Sequence, residues 1–131
     1  MEQKKTDLNE TAIFTDPEGR LFIQGQFFDF NSKYKDSYPE IYFTCGIRIG
    51  EGYAAAGRAA DGHPVLFRSV LGNEWTETPL ISGEEDGYKK AEGTIIAIDY
   101  ESASERLFLI SDHNELIIIP NCRRCIRIID L

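Results

Sequence analysis

A chain of 131 residues with 42% hydrophobic and 27% charged residues has the size and composition of one globular domain able to bury a core. Its net charge of −8 argues against a nucleic-acid partner, which needs a basic face to release counterions, and no apolar run approaches membrane-spanning length. Three cysteines, an odd number, do not fit a secreted disulfide framework, and residues 1–9 lack the apolar stretch of a secretory signal, so the expected compartment is the cytoplasm.

Residues 1–10 read as a disordered polar tail ahead of a single domain over 11–131. A short apolar stretch at 12–14 precedes Asp16-Pro17-Glu18-Gly19, where proline presets φ and glycine accepts positive φ in a turn. Residues 20–30, rich in aromatics and Ile, have strand composition. Residues 31–40 are polar and contain Pro39, so a long exposed loop is expected there. Strand composition resumes at 41–48, and 53–57 is a strand of small residues that can pack close to neighbouring backbone. Asp61-Gly62 signals a hairpin into 64–70, and Gly72-Asn73 turns the chain into 75–80. Residues 82–90 form an acidic, Gly-containing loop carrying Glu84-Glu85-Asp86. Stretches at 94–100, 106–111, 115–120 and 126–131 complete the strands. No window keeps an apolar helical period, so the expected class is all-β.

Two of these strand-turn units echo one another. Glu51-Gly52-Tyr53-Ala54-Ala55-Ala56 aligns with Glu92-Gly93-Thr94-Ile95-Ile96-Ala97, 41 positions on. In the same frame Leu66-Phe67 falls on Leu107-Phe108, Asn73-Glu74-Trp75 on Asn114-Glu115-Leu116, and Pro79 on Pro120. Repeats of this length built from short strands and turns point to two to three propeller-like antiparallel blades. A closed propeller has about 4–8 blades. The expectation is therefore completion by oligomerisation, since open blade faces and bare strand edges are an aggregation hazard.

Residues 68–76, Arg68-Ser69-Val70-Leu71-Gly72-Asn73-Glu74-Trp75-Thr76, bring a family into view. The segment resembles the Asp-box, the Ser-x-Asp-x-Gly-x-x-Trp hairpin of the sialidase-like β-propellers and their non-catalytic relatives. Gly72 and Trp75 occupy matching positions. Counted back from them, the family's Ser falls on Arg68 and its Asp on Val70, and Ser69 matches only if the turn is one residue shorter. The resemblance implies a tight turn at Gly72-Asn73 and a Trp75 side chain plugging a gap between sheets, with a partner for its indole N–H. The resemblance also raises glycoside hydrolysis, but the arginine cluster, tyrosine nucleophile and acidic partners of a sialidase site have no identifiable arrangement in this chain, so a non-catalytic relative is expected.

Cys122-Arg123-Arg124-Cys125 is a Cys-x-x-Cys pair that can act as a redox dithiol, its arginines favouring the thiolate. The thioredoxin-like setting requires a following helix, whereas Ile126-Arg127-Ile128-Ile129 reads as a strand. A zinc site would need about two further ligands, and Cys45, His63 and His113 have no recognisable spacing to the pair. Both histidines lie in turns, where polar residues serve turn geometry. Tyr34 and Tyr38 stand in the long loop and, with Trp75, are candidate binding anchors, while Tyr42 and Phe43 are expected to fill the core. The expected function is a non-catalytic binding or assembly protein, a homo-oligomer with no cofactor, no nucleic acid and no membrane. The alternatives are a redox or metal-binding protein centred on Cys122 and Cys125, and a carbohydrate-binding module using Trp75, Tyr34 and Tyr38.

Overall fold

Alternating apolar residues separated by turn chemistry fold here as meanders, each strand pairing antiparallel with the next along the chain. The computed structural model describes residues 12–83, 88–121 and 126–131. The tail at 1–10, the acidic triplet at 84–86 and the pair Cys122 and Cys125 lie outside them. The first sheet holds β1 (Ile13–Thr15), β2 (Leu21–Ile23) and β3 (Gln26–Phe28). A helical turn, α1 (Phe30–Lys33), leads to the second sheet of β4 (Ile41–Ile49), β5 (Gly52–Ala59), β6 (Pro64–Ser69) and β7 (Thr76–Glu77). The third sheet holds β8 (Ile95–Glu101), β9 (Arg106–Ser111), β10 (Glu115–Ile119) and β11 (Arg127–Asp130). The chain is all-β with three propeller-like antiparallel blades.

The sheets stack in sequence order, and the middle one is covered on both faces. Tyr53, Ala55 and Ala59 of β5, with Val65 and Phe67 of β6, join Leu21, Ile23 and Phe30 in one core. Ala54 and Ala56, with Leu66, turn the other way and join Ile95, Leu107, Leu109 and Ile117 in a second core. This two-sided burial explains the small residues of β5. At Gly57 the limit is the paired strand instead: a methyl group there would lie 2.0 Å from the carbonyl oxygen of Tyr42 and 2.8 Å from the Cα of Phe43, beside the register shift of β4, where only backbone could give way.

Among the described residues, the end sheets have one face each covered by another sheet. In the first sheet the register sets Phe14 opposite Phe22 and Phe22 opposite Phe27, a row of three rings on the uncovered side. In the third, Ile110, Leu116 and Ile129 form one outward row, and Phe108 and Ile118 the next.

Three sequence expectations change. Residues 20–30 are two strands, not one, because Gln24 and Gly25 both take positive φ (55° and 81°), the geometry of a two-residue hairpin turn. The loop expected at 31–40 begins with α1, which Asp29 caps by accepting a hydrogen bond from the Ser32 N–H at 3.2 Å. Asn31 then ties the loop to β4, exchanging hydrogen bonds with the Ile41 backbone at 2.8 and 3.0 Å. Finally, the 41-residue echo is out of step with the blades. It maps β5, β6 and β7, the second to fourth strands of their sheet, onto β8, β9 and β10, the first to third of theirs. What recurs is the strand-turn-strand pattern, which carries no mark of a strand's place in its sheet.

Candidate functional site

The turn between β6 and β7 is built from the inside by Ser69 and Trp75. The buried Ser69 hydroxyl accepts the Gly72 N–H at 2.7 Å, and Gly72 takes φ 92°, which suits glycine. The Trp75 indole N–H donates to the Gly72 carbonyl at 3.2 Å, closing the same turn from the far side. Where the Asp-box pattern would place a carboxylate stands Val70, and the neighbouring serine supplies the acceptor instead. Ser69→Ala leaves the Gly72 N–H buried without that partner, which should cost about 1–3 kcal/mol. Urea unfolding should show a lower midpoint at unchanged slope, and a midpoint equal to the parent's would mean that the bond contributes nothing.

The hairpin is clamped from the side by α1 and the chain that follows it. The Trp75 backbone N–H donates to the Tyr34 hydroxyl at 2.7 Å, and Lys33 Nζ donates to the Asn73 carbonyl at 2.7 Å and lies 3.3 Å from Glu74. Trp75 is only 4% exposed and meets Phe28 at a ring separation of 6.2 Å. Its ring face is therefore part of the first core. Tyr34 and Tyr38 are half-buried, their rings 4.6 and 6.2 Å from that of Phe30. The structure thus brings all three candidate anchors into one aromatic cluster, with the Trp75 indole N–H and the Tyr34 hydroxyl engaged in hydrogen bonds inside the protein. Phe43 fills the core as expected, while Tyr42 is half-buried beneath the Arg58 guanidinium at 4.9 Å.

What the hairpin presents outward is its tip. Val70 and Leu71 are 74% and 75% exposed and border a cleft of about 600 Å³, also lined by Ile49, Glu51, Arg68 and Thr76. A second cleft of about 400 Å³ lies where Asp61, His63, Glu77 and Lys90 surround Pro79 and Leu80. There the backbone N–H and ring of His63 hold the Asp61 carboxyl below its ordinary pKa, an interaction local to the turn. His113 stands apart from this pair, its Nδ1 3.4 Å from Glu92.

Cys122 and Cys125, on which the redox and metal alternatives rest, lie outside the described residues. No group of three or more His, Cys, Asp or Glu among those described is placed to hold a metal ion. Cys45 is a free thiol in β4 whose pKa burial pushes up, with its Thr44 contact acting weakly in the opposite direction, so little thiolate forms at neutral pH. Among the same residues, no helix is long and apolar enough to cross a membrane.

Sequence reasoning missed the roles of Ser69, of Glu115, and of Thr44, whose hydroxyl donates to the Ile95 carbonyl and ties the second sheet to the third. Glu115 is buried at the start of β10 and accepts the Glu92 N–H at 2.9 Å, fixing the entry into the third sheet. The only sequence signal for it was its place at the turn after Asp112-His113-Asn114. No family model, curated protein or solved structure matches the chain.

Proposed function

We propose that this chain is a non-catalytic binding or assembly protein, built from β-propeller-like repeats, whose end sheets are completed by another polypeptide, first of all a further copy of itself. One observation carries the reading. The middle sheet is covered on both faces, while among the described residues no other sheet covers an apolar row on each end sheet: Phe14, Phe22 and Phe27 on one side, and the half-buried Ile110, Leu116 and Ile129 on the other. Contiguous apolar surface of this kind on a globular protein marks an interaction site. The Ser69–Trp75 turn supports a relationship to the non-catalytic Asp-box repeats, with serine in the role of the missing aspartate. The free Cys45 thiol fits work in a reducing compartment such as the cytoplasm.

The reading predicts self-association. Light scattering across micromolar concentrations should give a mass above the 14.9 kDa of one chain, falling on dilution. A single species at one chain mass, unchanged with concentration, would remove the assembly reading.

A further inference from the structure

We propose that two copies of the chain close head to tail into a six-bladed ring, the first sheet of each copy packed on the third sheet of the other. The proposal rests on the assembly reading above and deepens it, naming the faces that meet and the number of copies.

The internal arrangement of the three sheets sets the direction in which a fourth would be added. Their backbones approach most closely along their first strands, with β1 against β4 and β4 against β8. Threonine side chains stitch these strands in series. Thr15 Oγ1 donates to the Thr44 carbonyl at 3.1 Å, and Thr44 Oγ1 in turn donates to the Ile95 carbonyl. The first strands thus lie side by side, as the inner strands of blades do around a propeller axis.

The series stops at both ends on an exposed apolar side chain of a first strand. Phe14 on β1 is 58% exposed and Ile96 on β8 is 54% exposed. Behind Phe14 runs the phenylalanine row of the first sheet, and Ile96 sits at the register shift of β8, where the next residue, Ala97, stands opposite Ile110 in the outward Ile110 and Leu116 row of the third. Every other sheet face is covered by a neighbouring sheet, the first covering the second and the second covering the third. The missing contact therefore joins two surfaces of the same chemistry as the two contacts already made inside the chain, and it continues the same stack. Charged groups share these surfaces. Arg20 lies over both the Phe22 and Phe27 rings at 6.0 and 5.2 Å and pairs with Asp16, Arg106 lies 5.2 Å over Phe108 and pairs with Glu101, and Asp99 and Arg127 flank the Phe108 and Ile118 row in register.

Copy number follows from closure. A contact between two different faces generates a ring if the rotation closes and an open filament if it does not. Propellers close with about 4–8 blades. With three blades per chain, two copies fall inside that range and three copies fall outside it.

Sedimentation equilibrium on the wild type and on two charge variants tests this. The wild type should weigh two chains. Phe14→Asp and Ile96→Lys should each be monomeric with unchanged circular dichroism, since both side chains are more than half exposed. Mixing the two variants should restore the dimer. The mixture keeps one interface intact and sets the new carboxylate beside the new ammonium in the other. If the wild type is a dimer and either variant stays dimeric, or the mixture stays monomeric, the head-to-tail ring is overturned while the assembly reading stands. A wild type of three or more copies also overturns the ring alone, and a wild-type monomer overturns both. Should Phe14→Asp lose its circular dichroism, Phe27→Asp, in the same row and 48% exposed, takes its place with the same outcomes.

Discussion

Trp75→Ala is expected to lower folding stability by about 3–5 kcal/mol, the range for truncating a large aromatic in a core. Three separate losses combine. The ring leaves a cavity among Phe28 and the rest of the first core. The Gly72 carbonyl loses its indole donor, so the turn between β6 and β7 keeps only the Ser69 bond on its other side. The chain at residue 75 also loses the bulk that presents its backbone N–H to Tyr34. Denaturant unfolding measures the energy, and the fluorescence of this single tryptophan checks the placement. Emission should be blue-shifted and resist iodide quenching in the native protein. A loss below about 1 kcal/mol, together with a red and readily quenched emission, would place the ring at the surface and revive the carbohydrate-binding alternative.

Phe30→Ala is expected to cost a similar amount, again about 3–5 kcal/mol, for a different reason. Phe30 is the buried foot of α1 and sits at the centre of an aromatic cluster. Its ring lies 4.6 Å from Tyr34, 4.7 Å from Phe67, 5.1 Å from Phe43 and 6.2 Å from Tyr38. A helix of one turn has no stability of its own, so packing of this residue holds it in place. Its removal should release residues 29–40 together, detected as new protease sensitivity in that segment at temperatures where the rest stays folded. Thermal unfolding that matches the parent would show that the Asp29 cap and the Asn31 clamp suffice without the ring.

The sequence was most readable where alternation alone decides. β9 occupies residues 106–111 as expected, and β10 stops one residue short of Pro120, which cannot donate to a ladder. The burial of Phe43 and the need of Trp75 for an indole acceptor were also legible, since both follow from side-chain chemistry. Other features depend on pairing and were hidden for that reason. The Gln24-Gly25 turn was lost inside an aromatic run because Gln rarely takes positive φ, so only Gly25 could have signalled it. α1 escaped because one turn is too short to show a period. Phe14, Phe22 and Phe27 are scattered in the sequence, and only the register of the first sheet lines them up. Ser69 could be seen as a misaligned motif residue but not as the acceptor that closes the turn, because that role depends on the fold of the turn itself.

The shared position of β5 governs how this protein comes apart. One strand supplies side chains to both cores, Ala55 and Ala59 to the first and Ala54 and Ala56 to the second. Detaching either end blade bares one side of that strand while the other side stays dry. Only disruption of the whole chain exposes both. Partial openings are thus confined to the first and third blades and the segment at 29–40, and β5 stays protected until the global unfolding free energy has been supplied. The two cores can therefore open one at a time, because each is anchored on the opposite side of the same alanine-rich strand.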